Sequence, residues 1–205
     1  MADAALPKQK DSGTSPLDQL IKVPRGAKGA GIFLKECRHT GKLILRGDPK
    51  DDLFIKAASK VLGHKLPLLP NTFIQKNHQS SVWLGPDEWL LNCPPGDENS
   101  LENDLNTALQ ALHHSVTDVS DNSTIIHLSG HQSRSVIMKG CAVDIHPRVF
   151  NPGDAFQSNL AAASVIMWQL DLIPTFNIMV RSSFASYLWE WLLDAGAEFG
   201  VQIRL

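Results

Sequence analysis

Cysteine is scarce in this 205-residue chain: Cys37, Cys93 and Cys141 stand far apart, with no C-x-x-C pair. An odd, scattered set frames neither disulfides nor a zinc site, and it suits a reducing compartment. Basic excess is missing too. Nineteen Lys+Arg against 21 Asp+Glu give a formal charge of −2, which is not the footprint of a nucleic-acid binder. Long apolar runs are also absent: the longest, Leu160 to Trp168, is nine residues, against the roughly 20 needed to span a bilayer. Met1 to Asp18 is polar and lacks the apolar centre of a secretory signal. These absences predict a soluble, cytoplasmic protein that binds neither nucleic acid nor membrane.

What is present is ordinary globular text, 43% hydrophobic and 20% charged, enough for one domain or two small halves packed as one. Residues 1–30 differ from the rest. Met1 to Pro16 holds no large aliphatic apart from Leu6, too little apolar surface to offset its ordering entropy, and reads as a flexible tail. Leu17 to Val23 is a candidate to dock as a short turn or helix, and Pro24 to Gly31 reads as a Gly-rich basic connector. Residues 31–205 then read as a single duplicated domain with halves at about 31–114 and 115–205.

Apolar alternation and turn residues predict strands at Ile32–Cys37 and Lys42–Leu45, then a helix from Lys50 to Leu62 ended by Gly63. Three short strands follow near Thr72–Ile74, Ser81–Leu84 and Glu88–Leu91, then a helix over 98–113 with Leu101, Leu105, Ala108, Leu109 and Leu112 on one face. The order then repeats: strands near 116–119 and 124–128, a helix over 132–139, strands near 156–160, 164–169 and 176–180, a helix over 182–195 and a last strand at 200–204. Locally, Leu43–Gly47 (LILRG) answers Ile126–Gly130 (IHLSG), and Trp89–Cys93 answers Phe176–Val180. The expected fold is therefore α+β, an internally duplicated β-β-α-β-β-β-α.

No candidate for chemistry rises clearly above a structural reading. Gly26, Gly29 and Gly31 lack the preceding strand and following helix of a phosphate loop. His127 and His131 are separated by a helix-breaking Gly130, and Cys141 and His146 have no matching second pair, so the histidines read as structural or surface groups. Neither Cys141 nor Ser129 sits in a hydrolase motif; Asp144 and His146 could pair on a strand-like segment. His113 and His114 are expected at a helix end. Trp83 and Trp89 read as strand aromatics. In the closing helix, Phe184, Tyr187, Leu188, Trp191 and Leu192 form one stripe, the expected core face. Trp189 and Leu193 then fall on the opposite side, to be covered by another element of the chain or by a partner, and are the partner-interface candidates. On these residues alone, a binding or scaffolding module stands ahead of an enzyme, with no catalytic, cofactor-binding or metal residue assigned.

The second half carries a resemblance. Leu128-Ser-Gly130, Val136-Ile-Met-Lys-Gly140-Cys141-Ala-Val-Asp144-Ile-His146-Pro147-Arg148-Val-Phe150 and Pro152-Gly153 resemble the gamma subunit of heterotetrameric sarcosine oxidase. So does Phe176–Val180 followed by R-S-S-F-A-S-Y-L-W-E-W-L (Arg181–Leu192), and, more weakly, Val82–Leu90. The resemblance spans most of 31–199. It implies a non-catalytic accessory subunit of a flavin-dependent complex with alpha, beta and delta subunits. That complex oxidises sarcosine to glycine with hydrogen peroxide as product, its one-carbon unit passing to tetrahydrofolate or leaving as formaldehyde. FAD, FMN, NAD and zinc are implied in the other subunits, with tetrahydrofolate as co-substrate and none of them in this chain. The family is similar in fold to the folate-binding domain of aminomethyltransferases, itself a duplication, and has no agreed catalytic motif to transfer. Lys139-Gly140-Cys141 also resembles the start of a folate-dependent iron–sulfur assembly motif, but Ala142, Val143 and Asp144 depart from its remainder. A stand-alone tetrahydrofolate-binding one-carbon protein is the alternative, with Asp144 for the pterin and Arg134 or Arg148 for the glutamate tail. The equivalent subunit of a related N-methyl amine oxidase or dehydrogenase is a third.

Overall fold

A computed structural model describes residues 13–21, 25–26 and 29–205. Residues 1–12 of the tail expected over Met1 to Pro16, and the connector positions 22–24 and 27–28, lie outside the described residues; the end of that tail is ordered, with Ser15 buried. Two sheets form the frame. One, of seven strands, is ordered β1 (Arg25–Gly26), β12 (Val201–Arg204), β2 (Ile32–Cys37), β8 (Ser123–Ser129), β11 (Thr175–Arg181), β10 (Ala163–Asp171) and β9 (Ala155–Leu160). The other, of five, is ordered β4 (Phe73–Lys76), β5 (Gln79–Gly85), β6 (Glu88–Cys93), β3 (Gly41–Gly47) and β7 (His114–Asp118). Helices α1 (Asp52–Leu62) and α2 (Glu98–Leu109) cover the five-stranded sheet, while α3 (Ser133–Met138) and α4 (Ser182–Gly196) cover the seven-stranded one.

The duplication is visible in the ladders. Leu43 pairs with Leu91 and Leu45 with Trp89 between β3 and β6; Ile126 pairs with Ile178 and Leu128 with Phe176 between β8 and β11. All eight side chains are fully buried, so the two matched sequence fragments occupy the same core positions of the two copies. The first strands are exchanged. β2, from the first half, pairs with β8 of the second, and β7, from the second, pairs with β3 of the first. Neither copy completes its sheet without a strand of the other.

Local chemistry explains the boundaries. Asp51 caps α1, its Oδ1 accepting from the Leu53 N–H at 2.8 Å, and Gly63 closes the helix at φ 68°. Phe54, Ala58 and Leu62, four apart, face the core. Gly47 and Gly130 end the matched strands because nothing larger fits: a Cβ would lie 2.2 Å from the Phe54 ring and 2.4 Å from the Gly31 carbonyl oxygen, respectively. α2 ends at Leu109, short of the expected 113. His114 instead opens β7, its ring bonded to the Leu112 carbonyl and to Asn106 Oδ1 at 2.9 and 3.1 Å. The alternating run after His114 gains a ladder along β3, and that pairing outcompetes a further helical turn.

Between the sheets, Phe73, Val82 and Leu90 meet Ile125, Ala155 and Trp168, with the Phe73 and Trp168 rings 6.4 Å apart. Near the N-terminus, Leu17 and Ile21 are buried in the larger core, and Ser15 Oγ donates to Glu36, whose other oxygen accepts from Thr124 Oγ1 at 2.8 Å. Arg25–Gly26 of the Gly-rich connector pairs antiparallel with β12.

Candidate functional site

The stretch from Lys139 to Phe150 leaves α3 and returns to β9 as a shaped loop. Lys139 Nζ donates to the Ala195 carbonyl in the last turn of α4 and to the Glu198 carboxylate just beyond it, and lies 4.9 Å from the Phe199 ring centroid. Gly140 is required by close approach, since a Cβ there would come within 2.6 Å of Trp191 Cζ2. Cys141 bridges to Leu160. Asp144 Oδ1 accepts from the His146 backbone N–H at 2.9 Å, and His146 Nδ1 accepts from the Arg148 N–H at 3.1 Å. Asp144 and His146 thus meet through the histidine backbone, in the geometry of a turn. Arg148 and Asp144 are both exposed.

Arg134 holds this loop from beneath. Its guanidinium donates to the carbonyls of Ile145 and Phe150, the latter at 3.0 Å, and to Gln169 Oε1 at 2.7 Å, and it stacks 5.4 Å from the Phe176 ring centroid. Burial lowers its pKa. With its donors directed at these acceptors, Arg134 is a clamp on the loop, not a cation open to a ligand's carboxylate. His127 Nδ1 likewise bonds to Asn177 Oδ1 at 2.9 Å.

At one end of the sheets, hydrogen bonds tie the loop before β4 to the loop before β9, and the latter to β10. The Ala155 N–H donates to the Asn71 carbonyl and the Phe73 N–H to the Gly153 carbonyl, both at 2.8 Å, and the Gly153 N–H to the Gln169 carbonyl at 3.2 Å. These loops and the turn between β10 and β11 carry large aliphatic side chains outward: Leu69 is 71% exposed, Val149 58%, Leu172 82% and Ile173 73%. Single exposed aliphatics are commonplace; several on adjoining loops mark an interaction surface. Sequence reasoning missed this end. The available signal was Leu172-Ile173-Pro174, two large aliphatics at the tip of a turn between two strands.

The closing helix corrects the expected interface. α4 buries Ala185, Leu188, Trp189, Leu192 and Ala195, so Trp189 is a core residue at 1% exposure, and Leu193 is half-buried against the same core. Phe184 and Tyr187, expected inside, are 44% and 42% exposed. The helix is rotated because small Ala185 lets it settle onto β8 and β11 along the Ala185–Trp189–Leu192 line. Trp189 is covered by its own chain.

Other titratable groups are set by burial. Desolvation, with Glu98 and Asp97 adding, pushes the Cys93 thiol up to about 12, and burial also raises Cys37. Lys42, 2% exposed, donates to the Thr40 carbonyl at 2.6 Å, and burial lowers its pKa. Among the described residues, Trp89 is fully buried with Nε1 donating to the Pro67 carbonyl, whereas Trp83 is partly exposed.

The architecture defines a class: the duplicated α+β fold shared with the aminomethyltransferase T of the glycine cleavage system from Bartonella henselae. That likeness has a TM-score of 0.64 at 15% identity, over 85% of this chain and 48% of that one. A chain of the heterotetrameric sarcosine oxidase from Corynebacterium sp. U-96, in complex with pyrrole 2-carboxylate, is much more similar. Its TM-score is 0.81 at 29% identity, over 91% of this chain and 96% of that one. The sarcosine oxidase subunit gamma of Corynebacterium sp. (strain P-1) is 30% identical over 97% of both chains. Residues 46–198 match the family described as "Sarcosine oxidase, gamma subunit family". The chain belongs to the sarcosine oxidase gamma subunit family.

Proposed function

We propose that this chain is a non-catalytic accessory subunit of a flavin-dependent sarcosine oxidase complex in the cytoplasm, holding larger subunits in place. The observation that carries this reading is the 0.81 TM-score over 96% of a chain taken from such a heterotetramer. The exposed aliphatic end at Leu69, Val149, Leu172 and Ile173 supports it, because stable subunit interfaces are core-like and extensive. In this reading the alpha, beta and delta partners carry FAD, FMN, NAD and zinc, and tetrahydrofolate is the co-substrate that accepts the one-carbon unit released as sarcosine becomes glycine. The stand-alone folate alternative loses Arg134 as a holder of the glutamate tail, since its donors are already directed at two carbonyls and an amide, and rests on exposed Arg148.

Tagged chain isolated from its native cells tests the proposal. The expected result is a stable yellow complex with larger flavin-carrying chains that oxidises sarcosine. A colourless preparation of this chain alone, binding tetrahydrofolate saturably, would overturn it. Oxidation of a different N-methylated amine by the same complex would move the reading to the related oxidase or dehydrogenase.

A further inference from the structure

A groove of about 520 Å³ opens where the two sheets part, floored by Ile44 of β3, Ile166 of β10 and Met179 of β11. Small-molecule clefts run from roughly 300 to 1,000 Å³. Ser123 and Arg181 are among the polar side chains lining it that the fold leaves unanswered. Ser123 is 5% exposed and its Oγ is buried with no hydrogen-bond partner. Arg181 is exposed and makes no ion pair or side-chain hydrogen bond among the described residues.

Ser123 and Arg181 are direct partners in the β8–β11 ladder, so both project from the same face of the sheet. α4, fifteen residues long, begins immediately after Arg181 without a side-chain cap, adding the positive end of its dipole to the same corner. No Asp or Glu lines the groove. The nearest acid in sequence, Asp121, acts electrostatically on Lys42. A second concavity, of about 620 Å³, lacks this character, because its Arg46 is already paired with Asp87 at 2.8 Å.

We infer that this groove binds a small organic anion, a carboxylate with an apolar body. The carboxylate sits against the Arg181 guanidinium and the Ser123 hydroxyl, and the body lies on Ile44, Ile166 and Met179.

Titrating the full chain with octanoate, octylamine and acetate, followed by amide NMR shifts, tests it. Octanoate binds saturably and perturbs Ser123, Ile166 and Arg181; octylamine binds at least about tenfold more weakly because it lacks the carboxylate, and acetate does so because it lacks the apolar body. Arg181→Gln weakens octanoate by about tenfold or more, and Ser123→Ala weakens it by less. No saturable octanoate binding at millimolar concentration overturns the inference. So does equal binding of octylamine, or an Arg181→Gln variant with unchanged affinity; either would make the groove an unspecific apolar cleft. If a variant fails to fold, judged by circular dichroism, the octanoate–octylamine comparison on the natural chain decides alone.

Discussion

The two halves follow one plan and differ in how they join their first helix to the strands that follow. In the first half, α1 runs eleven residues between an aspartate cap and a left-handed glycine, and it packs beside α2 over the smaller core. In the second, α3 is cut to six residues, and the Lys139–Phe150 loop takes over the path to β9. A helix satisfies its own backbone; a loop must be satisfied from outside. Arg134 supplies that, reaching two loop carbonyls and Gln169 at once. Irregular backbone held by a half-buried cation can carry Val149 outward, where a regular helix leaves exposed Leu53 alone on the outer face of α1.

The hardest test of the comparison removes the core common to both copies. Trp189→Asp, in the second half, should unfold the chain. Losing a buried aromatic costs about 3–5 kcal/mol, and an unpaired buried charge adds to it. Trp89→Ala, in the first half, should cost a similar amount. Because the first strands are exchanged, both should shift one shared denaturant transition; two separate transitions would break the picture of interlocked halves. Arg134→Met should cost about 2–3 kcal/mol by orphaning buried acceptors. It should also speed amide exchange across Ile145–Phe150 while leaving α1 and α2 protected. Unchanged exchange in the loop would remove Arg134 as its clamp.

A smaller effect belongs to the first half. His64 is buried between the Leu62 carbonyl and Ser81 Oγ, and burial lowers its pKa from the ordinary 6.5. The unfolded chain therefore takes up the proton more readily than the folded one. This contribution to stability is complete above about pH 6.5 and is lost as pH falls through the lower folded value. His64→Gln should flatten that slope in melting temperature against pH; an unaltered slope would assign it to other groups.

Much of the fold is legible in the sequence because period and punctuation agree. Gly63 ends the first helix where expected, and the LILRG and IHLSG fragments mark the register of the duplication, which the ladders repeat residue for residue. What is not legible is the rotation of α4. Its seven large apolar side chains cover nearly the whole circumference, so periodicity does not single out one face, and the contact is decided by where small Ala185 and Ala195 allow approach. Strand exchange is equally hidden, since β2 and β7 read the same whichever sheet receives them. The role of Arg134 depends on carbonyls eleven and sixteen residues away, a pairing only the folded loop creates.

The end carrying Leu69, Val149, Leu172 and Ile173 is where the proposed partner chains would dock. The most direct test of that docking is capture of those chains from native cells by tagged Leu172→Asp/Ile173→Asp double variant beside the natural chain. The account predicts a variant with an unchanged thermal transition, because both side chains are solvent-exposed, and loss of most of the captured flavin-carrying chains. Full capture by a folded double variant would contradict it.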